Sequence, residues 1–84
     1  MSDTELEYLL GSETRPETLT ALRDRGRLSA RRLEERVSAS RRTLKRTLRA
    51  MESRGWVRAA DGGYELTAMG DTLLTAYDRF RRRE

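Results

Sequence analysis

Arg42, Arg46 and Arg49 recur at i, i+4 and i+7. On an α-helix that spacing gathers three guanidiniums on one face, with Lys45 on its flank. A guanidinium is a planar fork that pairs bidentately with a phosphate or with O6 and N7 of guanine, and an ammonium suits phosphate. The chemistry on offer is the binding of a polyanion, with the major groove of DNA as the surface of matching shape. Leu44, Leu48 and Met51 share the same spacing and fall on the opposite face, so the helix has an apolar back. Ser40 supplies an N-cap hydroxyl and Gly55 a C-terminal stop, which predicts a helix over 40–55. A cationic helix face alone is ordinarily a solvated surface, so its surroundings must decide.

The distribution of charge is the first such test. Residues 1–24 carry six acids against Arg15 and Arg23, a net of −4. Residues 25–58 carry twelve cations against Glu34, Glu35 and Glu52, a net of +9; residues 59–84 come to −1, with five acids and four arginines. The chain total of +4 therefore hides a strongly basic middle, whereas a surface made only for solubility mixes its signs throughout. Catalysis has nothing to stand on. The 84 residues include no His and no Cys, so neither a Ser-His-Asp nor a Cys-His arrangement can be built, and imidazole or thiolate metal sites are excluded. Glu34 and Glu35 are adjacent and point about 100° apart on a helix, so they are no catalytic pair. No calcium-loop pattern follows Asp61, and no cofactor or small-molecule ligand is expected. There is no apolar run near the roughly 18 residues a membrane span needs, and no signal-peptide pattern. A cytoplasmic protein is expected.

The elements that must position the cationic face follow in order. Thr4-Glu5-Leu6-Glu7 has capping-box spacing and opens a short helix that Gly11 ends. Thr14-Arg15-Pro16-Glu17 repeats the device for a helix with Leu19 and Leu22 inward, stopping at Gly26. Arg27-Leu28 reads as a minimal strand or a connector. Ser29 caps a further helix through Val37, hinged to the next at Ser38-Ala39-Ser40. Trp56-Val57-Arg58-Ala59-Ala60 and Tyr64-Glu65-Leu66 then read as strands around Asp61-Gly62-Gly63, with Trp56 and Leu66 propping the hairpin against the helices. Trp56 is a packing residue; Tyr64 could pack or lie near a minor groove. Thr67 caps a last helix through residue 83, in which Met69, Leu73, Tyr77 and Phe80 form a stripe and Arg81-Arg82-Arg83 complements the C-terminal dipole. No linker divides residues 1–84, so a single domain is expected: a helix pair at 29–55, a hairpin at 56–66 and a closing helix at 67–83.

Three helices, a hairpin and a helix, mainly α with a small β-hairpin, is the order of a winged helix-turn-helix with an added C-terminal helix. From Ser29 to Leu66 the sequence resembles archaeal and bacterial transcriptional regulators of the ArsR, MarR and IclR kind. The resemblance is carried by Leu33-Glu34-Glu35-Arg36-Val37-Ser38, by Ser40-Arg41-Arg42-Thr43-Leu44 and by the run Leu48 to Val57. Asp61-Gly62-Gly63-Tyr64-Glu65-Leu66-Thr67 with Gly70 resembles the wing and its exit. The opening from Leu6 to Leu22 is most similar to haloarchaeal regulators. The resemblance implies that Ser38, Ser40, Arg41, Arg42, Lys45 and Arg46 face the groove. It also implies that Ser29 and Arg31, with the wing around Gly62 and Gly63, touch the backbone. Arg49 belongs to the same cationic face, and Arg58 adds a phosphate contact beside the wing tip. Arg41 lies nearer the apolar edge and could brace the helix instead.

The partner expected from this pattern is double-stranded DNA, bound sequence-specifically with the helix at 40–55 in the major groove and the wing on the backbone or minor groove. A protein-docking winged helix and an RNA-binding one are the alternatives. A homodimer is also expected, because the stripe from Met69 to Phe80 is longer than a small core can cover. Leu73, Tyr77 and Phe80 would form its interface with Leu6 and Leu10, and Leu9 could contribute.

Overall fold

In the computed structural model, residues 3–82 are described; they fold as α1 (Asp3–Leu10), α2 (Thr14–Arg25), α3 (Ala30–Glu34), α4 (Arg41–Ser53), β1 (Val57–Ala60), β2 (Gly63–Leu66) and α5 (Ala68–Arg82). Arg83 lies outside the described residues. The architecture is a winged helix, mainly helical with one antiparallel hairpin, as the pattern of elements predicts.

Both capping boxes fail. Thr4 lies inside α1, and α2 starts at Thr14 with Glu13 as an N-cap that makes no side-chain bond. The Thr14 carbonyl instead accepts from the Thr18 hydroxyl at 2.6 Å, and Glu17 reaches out to Ser38. The helix expected through Val37 stops at Glu34. Its last turn tightens, with Glu35 N–H donating to Arg32 O (3.2 Å) and Arg36 N–H to Leu33 O (2.9 Å), and this swings Val37 into the core.

Helix α4 behaves as its sequence demands. The Ser40 hydroxyl accepts from Thr43 N–H at 3.2 Å, and Leu44, Leu48 and Met51 are at most 1% exposed. At its far end Gly55 takes φ +82°, which lets Gly55 N–H reach Glu52 O and Trp56 N–H reach Met51 O, both at 3.0 Å. This is the Schellman pattern of two bonds closing a helix on a left-handed residue. Trp56 is thereby turned inward, where it is 1% exposed and lies 5.7 Å from the Tyr8 ring. The Arg54 guanidinium sits 3.6 Å over Tyr8 and pairs with Glu5, fastening the end of α4 to α1.

In the hairpin Val57 pairs with Leu66 and Ala60 with Gly63, leaving a two-residue loop, Asp61-Gly62, with φ +42° and +79°. Positive φ at both positions is what the tightest hairpin turns require. Gly63, expected in the loop, is instead the first residue of β2 and buried. The reason is Leu28: its N–H and C=O exchange bonds with Tyr64 (3.0 and 2.8 Å), a one-residue third strand. A Cβ on Gly63 would stand 2.7 Å from the Leu28 carbonyl oxygen. Tyr64 packs against the core from this position.

Thr67 joins the wing to α5. Its hydroxyl donates to Gly55 O at 2.6 Å and accepts from Gly70 N–H at 3.0 Å, while its own N–H donates to Trp56 O. Gly70 then passes so close that a Cβ there would lie 2.1 Å from the Trp56 carbonyl oxygen. That approach sets the rotation of α5. The buried stripe is Gly70, Leu73 and Leu74, with Tyr77 packed at its end, while Met69 is 60% and Phe80 42% exposed. The stripe read from Met69 through Phe80 is corrected accordingly: Leu73, expected at a dimer interface, is 1% exposed within this chain's own core.

Candidate nucleic-acid interface

The turn between α3 and α4 is held from behind by α2. Glu17 accepts from the Ser38 backbone N–H through one carboxylate oxygen (3.2 Å) and from the Ser38 hydroxyl through the other (3.3 Å). Ser38, expected at the groove, is exposed and holds the hinge to α2 through these two bonds. Arg41 pairs with Glu34 at 3.1 Å, linking the end of α3 to the start of α4, and its side chain stays 64% exposed. Ser29 and Ser40 both serve as N-caps, with Ser29 Oγ accepting from Arg32 N–H at 3.1 Å.

What α4 presents outward is different in kind. Arg42, Lys45, Arg46 and Arg49 are exposed, and among the described residues none of them makes an ion pair. Arg31 on α3 is in the same condition. Five other arginines are matched: Arg41 as above, Arg23 with Asp78 (2.6 Å), Arg27 with Asp61 (2.8 Å), Arg54 with Glu5 and Arg58 with Glu65 (2.6 Å). Arg15, Arg25, Arg32, Arg36, Arg79, Arg81 and Arg82 also make no ion pair among the described residues, so what sets the α4 group apart is its alignment along one helix face. The hydrogen bond that Arg23 donates to Asp78 leads the causes that raise its guanidinium above the ordinary value, outweighing its slight burial. That pair joins α2 to α5.

The wing divides its expected residues between surface and interior. Gly62 is at the exposed tip, but Gly63 is buried under Leu28 and offers no contact surface. Arg58 remains largely exposed while holding its cross-strand partner Glu65. Glu17, Leu28 and the Arg27–Asp61 pair hold the hinge and the wing; Leu28 takes the minimal-strand option of Arg27-Leu28, but none of the three partners is legible in the sequence. Their partners lie 21, 36 and 34 residues away, and no local signal joins them.

Of the residues expected to pair two copies, Leu10 is 44% exposed and Phe80 nearly as much, Leu6 is half-buried, and Tyr77 is half-buried with Arg81 over its ring. Among the described residues no three acidic side chains gather as a metal site, and no helix is long and apolar enough to cross a membrane.

The family described as the HVO_A0261 N-terminal domain matches residues 3–84. The chain belongs to this family. A search of curated proteins finds no match. Among solved structures, the fold is similar to the crystal structure of the M. tuberculosis transcriptional regulator MosR, with a TM-score of 0.75 and 27% sequence identity. The superposition covers 96% of this chain and 66% of the MosR chain. The resemblance to winged-helix regulators, read from Ser29 to Leu66 and from the opening helices, thus extends along nearly all of this chain.

Proposed function

We propose that the chain is a sequence-specific, double-stranded DNA-binding transcriptional regulator of the cytoplasm. Helix α4 enters the major groove, while Arg58 and the Gly62 tip meet the backbone or minor groove. The carrying observation is that Arg42, Lys45, Arg46 and Arg49, all exposed and without an ion pair among the described residues, line the side of one capped helix that lies away from its buried stripe. Unpaired guanidiniums on a rigid, capped helix lose no ion pair when they meet phosphates or bases. The test is duplex affinity against salt. A DNA reader loses affinity steeply, with log K falling by about 0.9 per log unit of salt for each phosphate neutralised. Negligible duplex affinity even at low salt would leave the fold as a protein-docking module.

We further propose that it works as a homodimer. Met69, Ala76 and Phe80 recur at i, i+7 and i+11 of α5, a second stripe roughly 80° round from the buried one. Met69 and Phe80 are exposed on it, as is Leu10 on α1, and exposed apolar residues of this kind suit an isologous contact. Asp78 is taken by Arg23, so Arg79 and Arg81 would repel their copies in a parallel seam. An antiparallel crossing, or contact with the acidic first helix of the partner, avoids that. Two recognition helices about 34 Å apart would then require a near-palindromic operator. Sedimentation should find a dimer, and Met69→Ala/Phe80→Ala should leave a folded monomer. A wild type that stays monomeric at high concentration rules this out.

A further inference from the structure

We propose that α4 selects guanine at two positions about two base pairs apart, one through Arg42 and one through Arg46. This rests on α4 entering the major groove. In such docking the N-terminal part of the helix meets base edges. The exposed side chains of the first two turns are Arg41, Arg42, Thr43, Lys45 and Arg46. Two of these are already engaged, Arg41 with Glu34 and Thr43 with Ser40 through both its N–H and its hydroxyl. Lys45 lies roughly 90° round from the buried stripe, where it faces the groove wall and its phosphates. Arg42 and Arg46 straddle the direction opposite Leu44, Leu48 and Met51, each within about 30° of it. They are the two forks aimed at the groove floor.

The rest of the chain sharpens the choice of base. Bidentate recognition of adenine uses Asn or Gln, and this sequence contains neither. Recognition of cytosine N4 uses Asp or Glu, and the one acid on α4 is Glu52, in the last turn and on the flank. Arginine to O6 and N7 of guanine is what remains. Four residues of helix advance about 6 Å, close to two base-pair steps of about 3.4 Å each. Arg49, a further turn along, falls where the helix leaves the groove and suits phosphate.

Selection from a random duplex pool with the 84-residue chain tests this. Each enriched half-site should hold two guanines two base pairs apart. Arg42→Gln should shift one of them toward adenine and Arg46→Gln the other, each losing roughly 10- to 100-fold for the original site. The slope of affinity against salt should stay nearly unchanged in both, since neither residue is counted as a phosphate contact. Enrichment of sites without that guanine pair, or variants that weaken all duplexes equally and flatten the salt slope, would overturn the guanine assignment while leaving DNA binding intact. Failure to retain any duplex at low salt would overturn the DNA-binding reading itself.

Discussion

The two sides of α4 are built on opposite terms. Behind it, where the helix hands over to the wing and α5, the backbone is crowded: Gly55, Trp56, Thr67 and Gly70 are joined by hydrogen bonds of 2.6–3.0 Å, and Gly70 has no room for a methyl group. In front, Arg42, Lys45, Arg46 and Arg49 touch no carboxylate among the described residues. A helix can carry a dense positive face only if something else holds it in place, because cations one turn apart destabilise an isolated helix. Here the holding is done by the buried stripe, the Ser40 cap and the closed C-terminal turn. Stability and binding should therefore be separable by mutation.

The largest separation is expected from the front. Arg42→Ala/Arg46→Ala should cost about 2–6 kcal/mol of binding to a preferred duplex, at 1–3 kcal/mol per good base contact. Its thermal midpoint should hold or rise slightly, because two like charges leave the helix. Undiminished DNA affinity would put the reading face elsewhere, and a collapse in melting temperature would show that the two sides are not independent.

Gly70→Ala is the converse. The added carbon would sit 2.1 Å from a backbone oxygen that no rotamer change can move, so α5 or the wing root must shift. Overpacking of this kind costs about 1–3 kcal/mol or more, and each kcal/mol lowers the midpoint of so small a domain by roughly 4–8 °C. Gly62→Ala provides the contrast, since nothing lies within 4 Å of its added carbon and only φ +79° opposes it. That substitution should cost about 1–2 kcal/mol, through backbone strain alone. Melting curves in which Gly62→Ala proves the more damaging would contradict the crowding at Gly70.

Most of α4 was legible in the sequence because its determinants are local. The Ser40 cap, the Leu44/Leu48/Met51 stripe and the Gly55 stop all act within about four residues of where they stand, and each is where the pattern puts it. Helix α3 is shorter than its pattern: Leu33 and Val37 have helical spacing, yet Val37 reaches the core only after the chain has left the helix. On α5 two stripes compete: Met69-Leu73-Tyr77-Phe80 is as regular as Gly70-Leu73-Leu74-Tyr77. A glycine inside a helical pattern was the available clue, since it marks a close approach, but what approaches is the Trp56 carbonyl and no local rule names it. The same holds at the interface. The free cations could be read as a face, whereas Glu17 at Ser38 and Leu28 over Gly63 are set by tertiary packing.

The smallest effect is expected where the two regimes meet, on the wing. Arg58 lies opposite Glu65 on paired strands and holds it at 2.6 Å, with 70% of the arginine side chain exposed. A pair so exposed contributes about 0–1 kcal/mol to stability, so Glu65→Gln should leave the melting temperature nearly unchanged. Its consequence lies in binding: a phosphate approaching Arg58 must compete with that carboxylate and is repelled by it. Glutamine keeps the shape and removes the charge. Affinity should rise by about 0.5 kcal/mol, a little over twofold, for preferred and unrelated duplexes alike, because a phosphate contact carries no sequence information. The gain should shrink as salt rises, since the contact lies at the exposed surface. Titrations of two unrelated duplexes at two salt concentrations suffice. A gain confined to one sequence would make the wing a reader of bases, and no gain at low salt would take Arg58 off the interface.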